Sequence, residues 1–438
     1  MFHWALRAFG RFARTGDDVV KMSAARPGWS GECVGVRGTV MVSTTRETDG
    51  SRFVAERARG WLAHETAEAA TTLVLPVIDL GRGELDRPTA PHIIAAVADA
   101  LDRGETHYTA RPGIFPLRRA IAADIAEEYG VAYDPDREVL ISSGGQEGLF
   151  VAVQMLVRPG DEVLVQDPGY PSYREAIRLA GGICVPVPVE PSAAIGCTAD
   201  AIAACLTPRT RLVVLVSPDN PTGVVIDRAE MAKIAALAVE HDLLVLFDES
   251  YKAFLFDGAE HVHIAAFPGM RGRTITVGSF SKGYAMTGWR VGYVLGEAAL
   301  LHPITDLKLA LSICSAAPSQ WAALAALTGP QESVAEMLSA LRERRAVLLP
   351  ALESMGLHHG NPRGAYYAFA DIRDTGLSSA ECARAFLACA GVRALPGDLF
   401  SPGGAGYLRF ALTRPAPVIR EAMDRLAPVV RDLRERGK

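Results

Sequence analysis

Short apolar runs recur through the middle of this 438-residue chain and constrain its fold more than any other feature. They lie at 163–165, 212–216, 243–247 and 274–277, and helical patterns such as 228–240 lie between some of them. Strands that are buried on both faces show such near-continuous apolar runs, whereas half-exposed strands alternate apolar and polar residues. The pattern therefore predicts an α/β fold with a mainly parallel sheet covered by helices on both faces.

Polar motifs follow these runs directly, at the predicted C-terminal ends of the strands. They read DPGYPSY at 167–173, SPDNPTG at 217–223, DESY at 248–251 and SFSK at 279–282. Because open α/β sheets bind ligands at the edge where the strands end, we expect the four motifs to lie close together. A single lysine after a strand is ordinarily a solvated surface residue, but beside the other three motifs Lys282 is a candidate Schiff-base lysine.

A glycine turn between the strand at 139–143 and the helical pattern at 148–157 offers a site for an anion. Free backbone N–H groups and the helix dipole favour a phosphate there, although the same turn is common where nothing binds. The chain has neither a GxxxxGK[ST] loop nor a GxGxxG after a strand, which disfavours a nucleotide site. The candidate phosphate cradle is the turn from Ser143 to Gln146. The lysine segment adds a hydroxyl and a guanidinium, so the individual candidate contacts beside Ser143 are Gly144, Gly145, Gln146, Ser279 and Arg290.

The remaining candidates suit a pyridine aldehyde phosphate that is held on Lys282 as an imine. Such a cofactor needs a carboxylate to keep its ring nitrogen protonated, and Asp248 at a buried strand end is suited to that role. Asn220 and Tyr251 are candidates to hold the phenolic oxygen of the ring, and Tyr170 is a candidate to stack on it. Once released by substrate, the lysine would carry protons between the substrate α-carbon and the cofactor.

These motifs, in this order and spacing, resemble the class I/II aminotransferases of fold type I, the pyridoxal-phosphate family related to aspartate aminotransferase. The resemblance runs from about 77 to 413 and is carried by SFSKGYAMTGWRVG, SPDNPTG and DESY. It implies pyridoxal 5'-phosphate as the cofactor and Lys282, Asp248 and Tyr251 as catalytic residues. The cofactor contacts that it implies within one subunit are Gly144, Gly145, Gln146, Tyr170, Asn220, Asp248, Tyr251, Ser279, Lys282 and Arg290.

The resemblance also implies contacts beyond the cofactor. Arg409, in YLRFAL, is similar in position to the arginine that binds the substrate α-carboxylate, a role that suits its planar fork of donors. Gly83, in GELD, resembles the glycine whose backbone approaches the same carboxylate, and Asn220 is a further substrate contact. Tyr108 resembles a phosphate contact that reaches across from the other subunit, which implies a homodimer with shared active sites.

Three of these residues also have alternative interpretations. Arg409 could serve an intramolecular salt bridge, and Tyr108 and Tyr170 could be ordinary loop or core aromatics. Two positions depart from the usual family motifs, since Leu85 replaces a proline and Ser217 replaces a frequent asparagine. Neither position touches the core chemistry, but both leave the side-chain pocket undefined, so the sequence does not identify the amino acid substrate.

The resemblance further implies two domains. The larger is expected at 105–310, with a mostly parallel seven-stranded sheet sandwiched by helices, and binds the cofactor. The smaller is an α+β domain built from both ends of the chain, at 51–104 and 311–438. Residues 1–50 are expected to be a poorly ordered extension, in which a basic amphipathic helix at 2–14 competes with a frayed tail. Met1, Met22 and Met41 are all possible starts.

Composition excludes several classes of protein. The net charge of −5 and the pI near 6.1 give no reason to expect nucleic acid or an anionic membrane as a partner, so small molecules are the expected ligands. Seven scattered cysteines without CxxC pairs indicate reduced thiols, and neither they nor the histidines predict a metal site. No apolar run approaches the roughly 18 residues that span a bilayer. Together these features predict a cytoplasmic protein.

The predicted function is amino transfer between an L-amino acid and a 2-oxo acid. Other pyridoxal-phosphate reactions remain alternatives: elimination or replacement at the β- or γ-carbon, cyclisation of the ACC-synthase kind, and oxidation. An acyl-serine hydrolase with the SxxK pattern at 279–282 is rejected, because no KTG or SDN triplet is present and the motif is expected to follow a strand and not to open a helix. A DNA-binding regulator is also disfavoured, because residues 1–75 contain no recognisable DNA-binding module.

Overall fold

Twelve strands and twelve helices make up the part of the chain that the computed structural model describes, residues 75–191 and 196–436. The strands are β1 (Ile78–Asp79), β2 (Val139–Ser142), β3 (Glu162–Asp167), β4 (Ile183–Pro188), β5 (Thr210–Val216), β6 (Leu244–Asp248), β7 (Thr274–Ser279), β8 (Gly292–Leu295), β9 (Tyr367–Asp371), β10 (Val392–Arg393), β11 (Leu395–Pro396) and β12 (Tyr407–Ala411). The helices are α1 (Pro91–Asp102), α2 (Phe115–Tyr129), α3 (Gly145–Leu156), α4 (Pro171–Leu179), α5 (Ala199–Cys205), α6 (Arg228–Glu240), α7 (Phe280–Gly283), α8 (Ala298–Ser312), α9 (Ala317–Thr328), α10 (Glu332–Ser354), α11 (Ser379–Ala390) and α12 (Ala416–Arg436).

Seven strands form one sheet in the order β2-β8-β7-β6-β5-β3-β4. The contacts from β7 through β6, β5 and β3 to β4 are all parallel, and only β8 runs against its two neighbours. The register pairs Val216 with Asp248 and Asp248 with Val277, so β5 and β6 end at the same level and β7 ends two residues beyond it. The predicted mostly parallel α/β sheet is confirmed, and its alignment brings three of the polar motifs to one edge.

The central strands are buried because helices cover both faces of the sheet. One face packs against α3, α4 and α8, and the other against α5 and α6. Each fully buried aliphatic side chain contributes about 1.5–3 kcal/mol, which explains why near-continuous apolar sequences occupy these positions. The edge strand β4 was not predicted, since Ile183 is exposed and Pro186 and Pro188 interrupt its apolar pattern. Proline is tolerated in a strand mainly at such an edge.

Two smaller sheets lie outside the seven-stranded one, and the first of them joins the two ends of the described chain. β1 pairs in parallel with β10, with Ile78 opposite Val392, and β11, β12 and β9 form an antiparallel sheet. Helices α10, α11 and α12 pack over them around a shared apolar core. This confirms a smaller α+β part built from the two ends of the chain.

The expected domain boundaries stay predictions, because the described residues belong to one compact unit. The expected extension at 1–50, the basic helix at 2–14 and the start of the smaller domain at 51–74 lie outside the described residues. No helix within 75–191 and 196–436 is long and apolar enough to cross a membrane.

The loop that follows β5 contains a buried carboxyl group, Asp219, which is only 1% exposed. Its Oδ2 accepts hydrogen bonds from the backbone N–H and the hydroxyl of Thr222, and its neighbour in sequence is Asn220. Burial raises the pKa of Asp219 from 3.8 to about 7, in spite of the Thr222 hydrogen bonds, which lower it. The carboxyl therefore keeps its proton in the folded protein at pH values where an exposed aspartate has lost it.

We expect the protonation of Asp219 to make folding stability depend on pH. Between about pH 4 and 7 the group is ionised in the unfolded chain but protonated in the folded one, so its contribution to the free energy of unfolding falls as the pH rises through this window. The substitution Asp219→Asn removes the titration. Urea unfolding at pH 5 and pH 8 should show the variant gaining stability relative to wild type at the higher pH. An equal difference between the two proteins at both pH values would contradict the buried protonated carboxyl.

Candidate active site

A cavity of about 420 Å³ opens at the edge where β5, β6 and β7 end. It collects residues that are far apart in sequence, from the loop after β1 to strand β12. The residues singled out from the sequence that line it are Gly83, Gly145, Gln146, Tyr170, Asn220, Asp248, Tyr251, Ser279, Lys282, Arg290 and Arg409. Two predicted site residues, Gly144 and Tyr108, do not line it within this chain.

Lys282 lies in the one-turn helix α7, which begins directly where β7 ends. Its Nζ donates a hydrogen bond of 2.7 Å to the carbonyl oxygen of Gly83, and the hydroxyl of Tyr366 donates to the same oxygen at 2.9 Å. Burial lowers the pKa of the Lys282 amine. The amine of Lys282 is therefore oriented by a hydrogen bond and is partly removed from solvent. Since α7 starts at Phe280, the prediction that the SxxK segment does not open a helix was wrong, although this helix is only four residues long.

Asp248 ends β6 and has both carboxylate oxygens held. The backbone N–H of Ser250 donates to Oδ1 at 2.9 Å, and the hydroxyl of Tyr173 donates to Oδ2 at 2.6 Å. Burial raises the pKa of Asp248, whereas these hydrogen bonds lower it. Tyr173 is fully buried on α4, and the DPGYPSY motif does not by itself predict a role for it. The signal that could have identified it is its place in the polar DPGYPSY motif, three residues after Tyr170, the N-cap residue of α4.

The glycine turn before α3 offers fewer free amides than the sequence suggested. The N–H of Ser143 donates to Oε2 of Glu147 at 2.6 Å, and the N–H of Gly144 donates to the carbonyl of Ser142 at 2.9 Å. The free donors are thus the amides of Gly145 and Gln146, which lie in the first turn of α3 and lack intrahelical partners. The predicted cradle from Ser143 to Gln146 is corrected to its last two residues.

Gly144 has a different role from the predicted one. Its φ of +79° favours glycine, and a Cβ at this position would lie 2.5 Å from Nη2 of Arg290. Arg290 itself adopts a left-handed backbone conformation with φ of +51°, and its Nη1 donates to Oγ of Ser281 at 3.4 Å and to the carbonyl of Thr287 at 3.0 Å. Ser279, Ser281, Arg290 and the start of α3 together line one end of the cavity with donors.

Arg409 projects from β12 into the opposite part of the site and is 5% exposed. Its Nη1 donates to Oδ1 of Asn220 at 2.8 Å and its Nη2 to the carbonyl of Gly81 at 2.7 Å. Its guanidinium carbon lies 4.2 Å from the ring centre of Tyr367. Since these partners are neutral, the geometry does not favour the alternative of a structural salt bridge.

Four tyrosines differ in their relation to the cavity. Tyr170 lines the cavity and donates to Oε1 of Gln146 at 3.0 Å, while the hydroxyls of Tyr251 and Tyr367 lie 2.9 Å apart. Tyr108 is 79% exposed and lies away from its own cavity. Sequence reasoning missed Tyr367, because an apolar strand pattern gives no reason to single out one aromatic residue.

Comparison with known proteins agrees with this geometry. The model of the family "Aminotransferase class I and II" matches residues 76–426. The arginine–pyruvate transaminase AruH of Pseudomonas aeruginosa is 39% identical over 371 residues, which are 84% of this chain and 94% of AruH.

Solved structures show the same similarity. The aromatic aminotransferase of Pyrococcus horikoshii superposes with a TM-score of 0.79 at 37% identity and covers 82% of this chain and 96% of its own. The N-succinyldiaminopimelate aminotransferase of Mycobacterium tuberculosis superposes with a TM-score of 0.80 at 36% identity and covers 86% and 100%. The chain therefore belongs to the class I and II aminotransferases, and it is an enzyme of that family.

Proposed function

We propose that this aminotransferase uses pyridoxal 5'-phosphate to move an amino group from an L-amino acid to a 2-oxo acid, with Lys282 as the residue that binds the cofactor covalently. The observation that carries the proposal is the position of the Lys282 amine. It lines the same cavity as the donors of Arg290 and α3, which suit a phosphate, and the held carboxylate of Asp248.

The donor set fits this cofactor in charge and in chemistry. Two helix-start amides, the hydroxyls of Ser279 and Ser281 and the guanidinium of Arg290 together suit a phosphate dianion. The close approach of Arg290 to Gly144 leaves no space for a side chain on that glycine. Asp248 supplies the carboxylate that a pyridine nitrogen needs, and the hydrogen bonds from Tyr173 and Ser250 favour its ionised form.

When bound, pyridoxal phosphate supplies an electron sink for the substrate α-carbon and a temporary place for the amino group. The protein holds the proton on the ring nitrogen through Asp248 and holds the phenolic oxygen through Asn220 and Tyr251. The Lys282 amine, with its pKa lowered by burial, loses its proton more readily than an exposed lysine, and it moves the proton of the α-carbon. The carbonyl of Gly83 directs this amine.

Recognition of the substrate α-carboxylate is assigned to Arg409. Its planar guanidinium is fixed by Asn220 and Gly81, so that it needs little reorganisation to bind a carboxylate through two hydrogen bonds. Gly83 lies next to this clamp, where a Cβ would come 2.5 Å from the hydroxyl of Tyr367. No side chain fits at Gly83, so the backbone itself lines the cavity at this position.

We expect Lys282→Ala to abolish covalent attachment of the cofactor. Wild-type protein purified with pyridoxal phosphate should absorb visible light, and borohydride reduction should leave a phosphopyridoxyl group on the peptide that contains Lys282. The variant should lose both signals, and its turnover should fall by a factor of about 10²–10⁴ because it lacks the acid–base group. Lys233→Ala, at an exposed lysine of α6, is the matched control and should behave as wild type. A labelled peptide elsewhere, or full activity of the Lys282 variant, would refute the assignment.

The proposed enzyme is a homodimer in which Tyr108 completes the phosphate site of the partner subunit. The support is that Tyr108 is 79% exposed and does not contribute to the cavity of its own chain. The exposed side chain of Tyr108 is accessible to a second copy of the chain.

Mixing two inactive variants tests the shared site. Tyr108→Ala and Lys282→Ala subunits, each weak or inactive alone, should form hybrid dimers that contain one intact site, so activity should reappear after joint refolding. Each variant refolded with itself is the control. Hybrid dimers that form without recovery of activity, or a Tyr108→Ala enzyme that is fully active alone, would exclude the shared site.

A single-turnover experiment decides between amino transfer and the other reactions. The protein is mixed with amino acids and no oxo acid; the panel includes arginine and an aromatic amino acid, since two relatives are named for them. We expect about one equivalent of 2-oxo acid per site, no ammonia and no further turnover until an oxo acid is added. Continued release of ammonia would indicate elimination, a cyclic product would indicate cyclisation, and uptake of oxygen would indicate oxidation.

A further inference from the structure

Tyr367 begins strand β9 and lies between two parts of the site that have separate tasks. It is 2% exposed, so nearly all of its surface contacts protein. Its hydroxyl lies 2.9 Å from that of Tyr251, and its ring lies under the guanidinium of Arg409, 4.2 Å from the guanidinium carbon. One side chain therefore contacts both the proposed phenolic-oxygen contact and the proposed carboxylate clamp.

The donor in the hydrogen bond between Tyr251 and Tyr367 is determined if Tyr251 donates its own hydrogen to the cofactor. A hydroxyl has a single hydrogen, so if Tyr251 donates to the phenolic oxygen, Tyr367 must donate the bond that the two tyrosines share. A donor that is itself the acceptor of a hydrogen bond is polarised and donates more strongly. Tyr367 would then strengthen the hold of Tyr251 on the phenolic oxygen without touching it.

The ring contact concerns the other task. Arg409 is buried, and its Nη1 and Nη2 are fixed by Asn220 and Gly81. The Tyr367 ring lies against the guanidinium, and Phe400 also contributes a ring 4.8 Å from the guanidinium carbon. Aromatic faces attract a desolvated guanidinium and restrict its orientation. Removing the ring of Tyr367 would free the clamp to rotate and would leave a void beside it.

Neighbouring aromatic residues show that a buried position in this segment does not by itself require a tyrosine hydroxyl paired with Tyr251. Tyr366 is also buried, but its hydroxyl donates to the carbonyl of Gly83. Phe369, two positions beyond Tyr367, is buried without any hydroxyl. A buried hydroxyl is costly unless it is hydrogen-bonded, so the hydroxyl of Tyr367 is explained by its bond with Tyr251 and not by packing.

We propose that Tyr367 is a positioning residue with two separable functions: its hydroxyl directs Tyr251 onto the phenolic oxygen of the cofactor, and its ring fixes Arg409 for the substrate carboxylate. The proposal rests on the proposed function of the site. It assigns a role to a residue that the sequence motifs did not indicate, and it predicts that the two functions respond to different substitutions.

Two variants of the cofactor-loaded protein separate the functions. Tyr367→Phe removes only the hydroxyl, and Tyr367→Leu removes the ring as well. The first measurement is the visible pH titration of the bound cofactor. Weaker hydrogen-bond donation leaves more negative charge on the phenolic oxygen, and this charge stabilises the protonated form of the neighbouring imine nitrogen. The midpoint should therefore rise in both variants by on the order of half a pKa unit, as expected for part of one hydrogen bond.

The second measurement is calorimetric titration with 4-methylpentanoate, a carboxylate without an amino group. Tyr367→Phe should bind it within about twofold of wild type, whereas Tyr367→Leu should bind it several-fold more weakly, on the scale of a lost cation–π contact. Tyr133→Phe is the matched control, because Tyr133 is a buried tyrosine outside the cavity, and it should change neither measurement.

The outcomes distinguish this inference from the function on which it rests. A wild-type protein that shows no visible band would contradict the cofactor assignment itself. A normal wild-type titration that Tyr367→Phe leaves unshifted would refute the hydroxyl role, and unchanged carboxylate affinity in Tyr367→Leu would refute the ring role. Since Tyr367→Phe keeps the packed ring, loss of folding cannot account for its result.

Discussion

Parallel alignment of β5, β6 and β7 is the constraint on which the rest of the site depends. Their paired residues Val216, Asp248 and Val277 lie at one level, so each strand delivers its following polar segment to the same edge of the sheet. A shift of one residue in any of these strands would turn its buried side chains to the other face and would move the segment that follows. The apolar cores on the two faces of the sheet thus fix the register, and the register fixes the site.

The second organising feature is the way in which the cations of the cavity are held. Lys282 donates to the carbonyl of Gly83, Arg290 to the carbonyl of Thr287, and Arg409 to the carbonyl of Gly81 and the side-chain oxygen of Asn220. Neutral acceptors orient these groups without cancelling their charge. A pocket of this kind keeps its positive potential for anionic ligands, which suits a phosphate at one end and a carboxylate at the other.

The errors of the sequence interpretation have local physical causes. The glycine turn was expected to donate from Ser143 onward, but the side chain of Glu147 returns to take the amide of Ser143. Strand β4 was missed, because an edge strand that contains prolines is only half-buried and lacks the apolar run of its neighbours. The SxxK segment opens a helix of a single turn, which is too short to leave a periodic pattern in the sequence.

The sequence by itself determined the α/β class, the family resemblance and the polar segments after the strands, since these depend on local patterns of hydrophobicity and on contiguous motifs. Only the tertiary structure decided which side chains meet. Tyr173 holds Asp248 across 75 positions, Tyr367 reaches Tyr251 across 116 and Lys282 reaches Gly83 across 199. Such pairings follow from strand order and helix packing, because a tyrosine in an apolar segment has the same local sequence whether its hydroxyl lies in the core or in the active site.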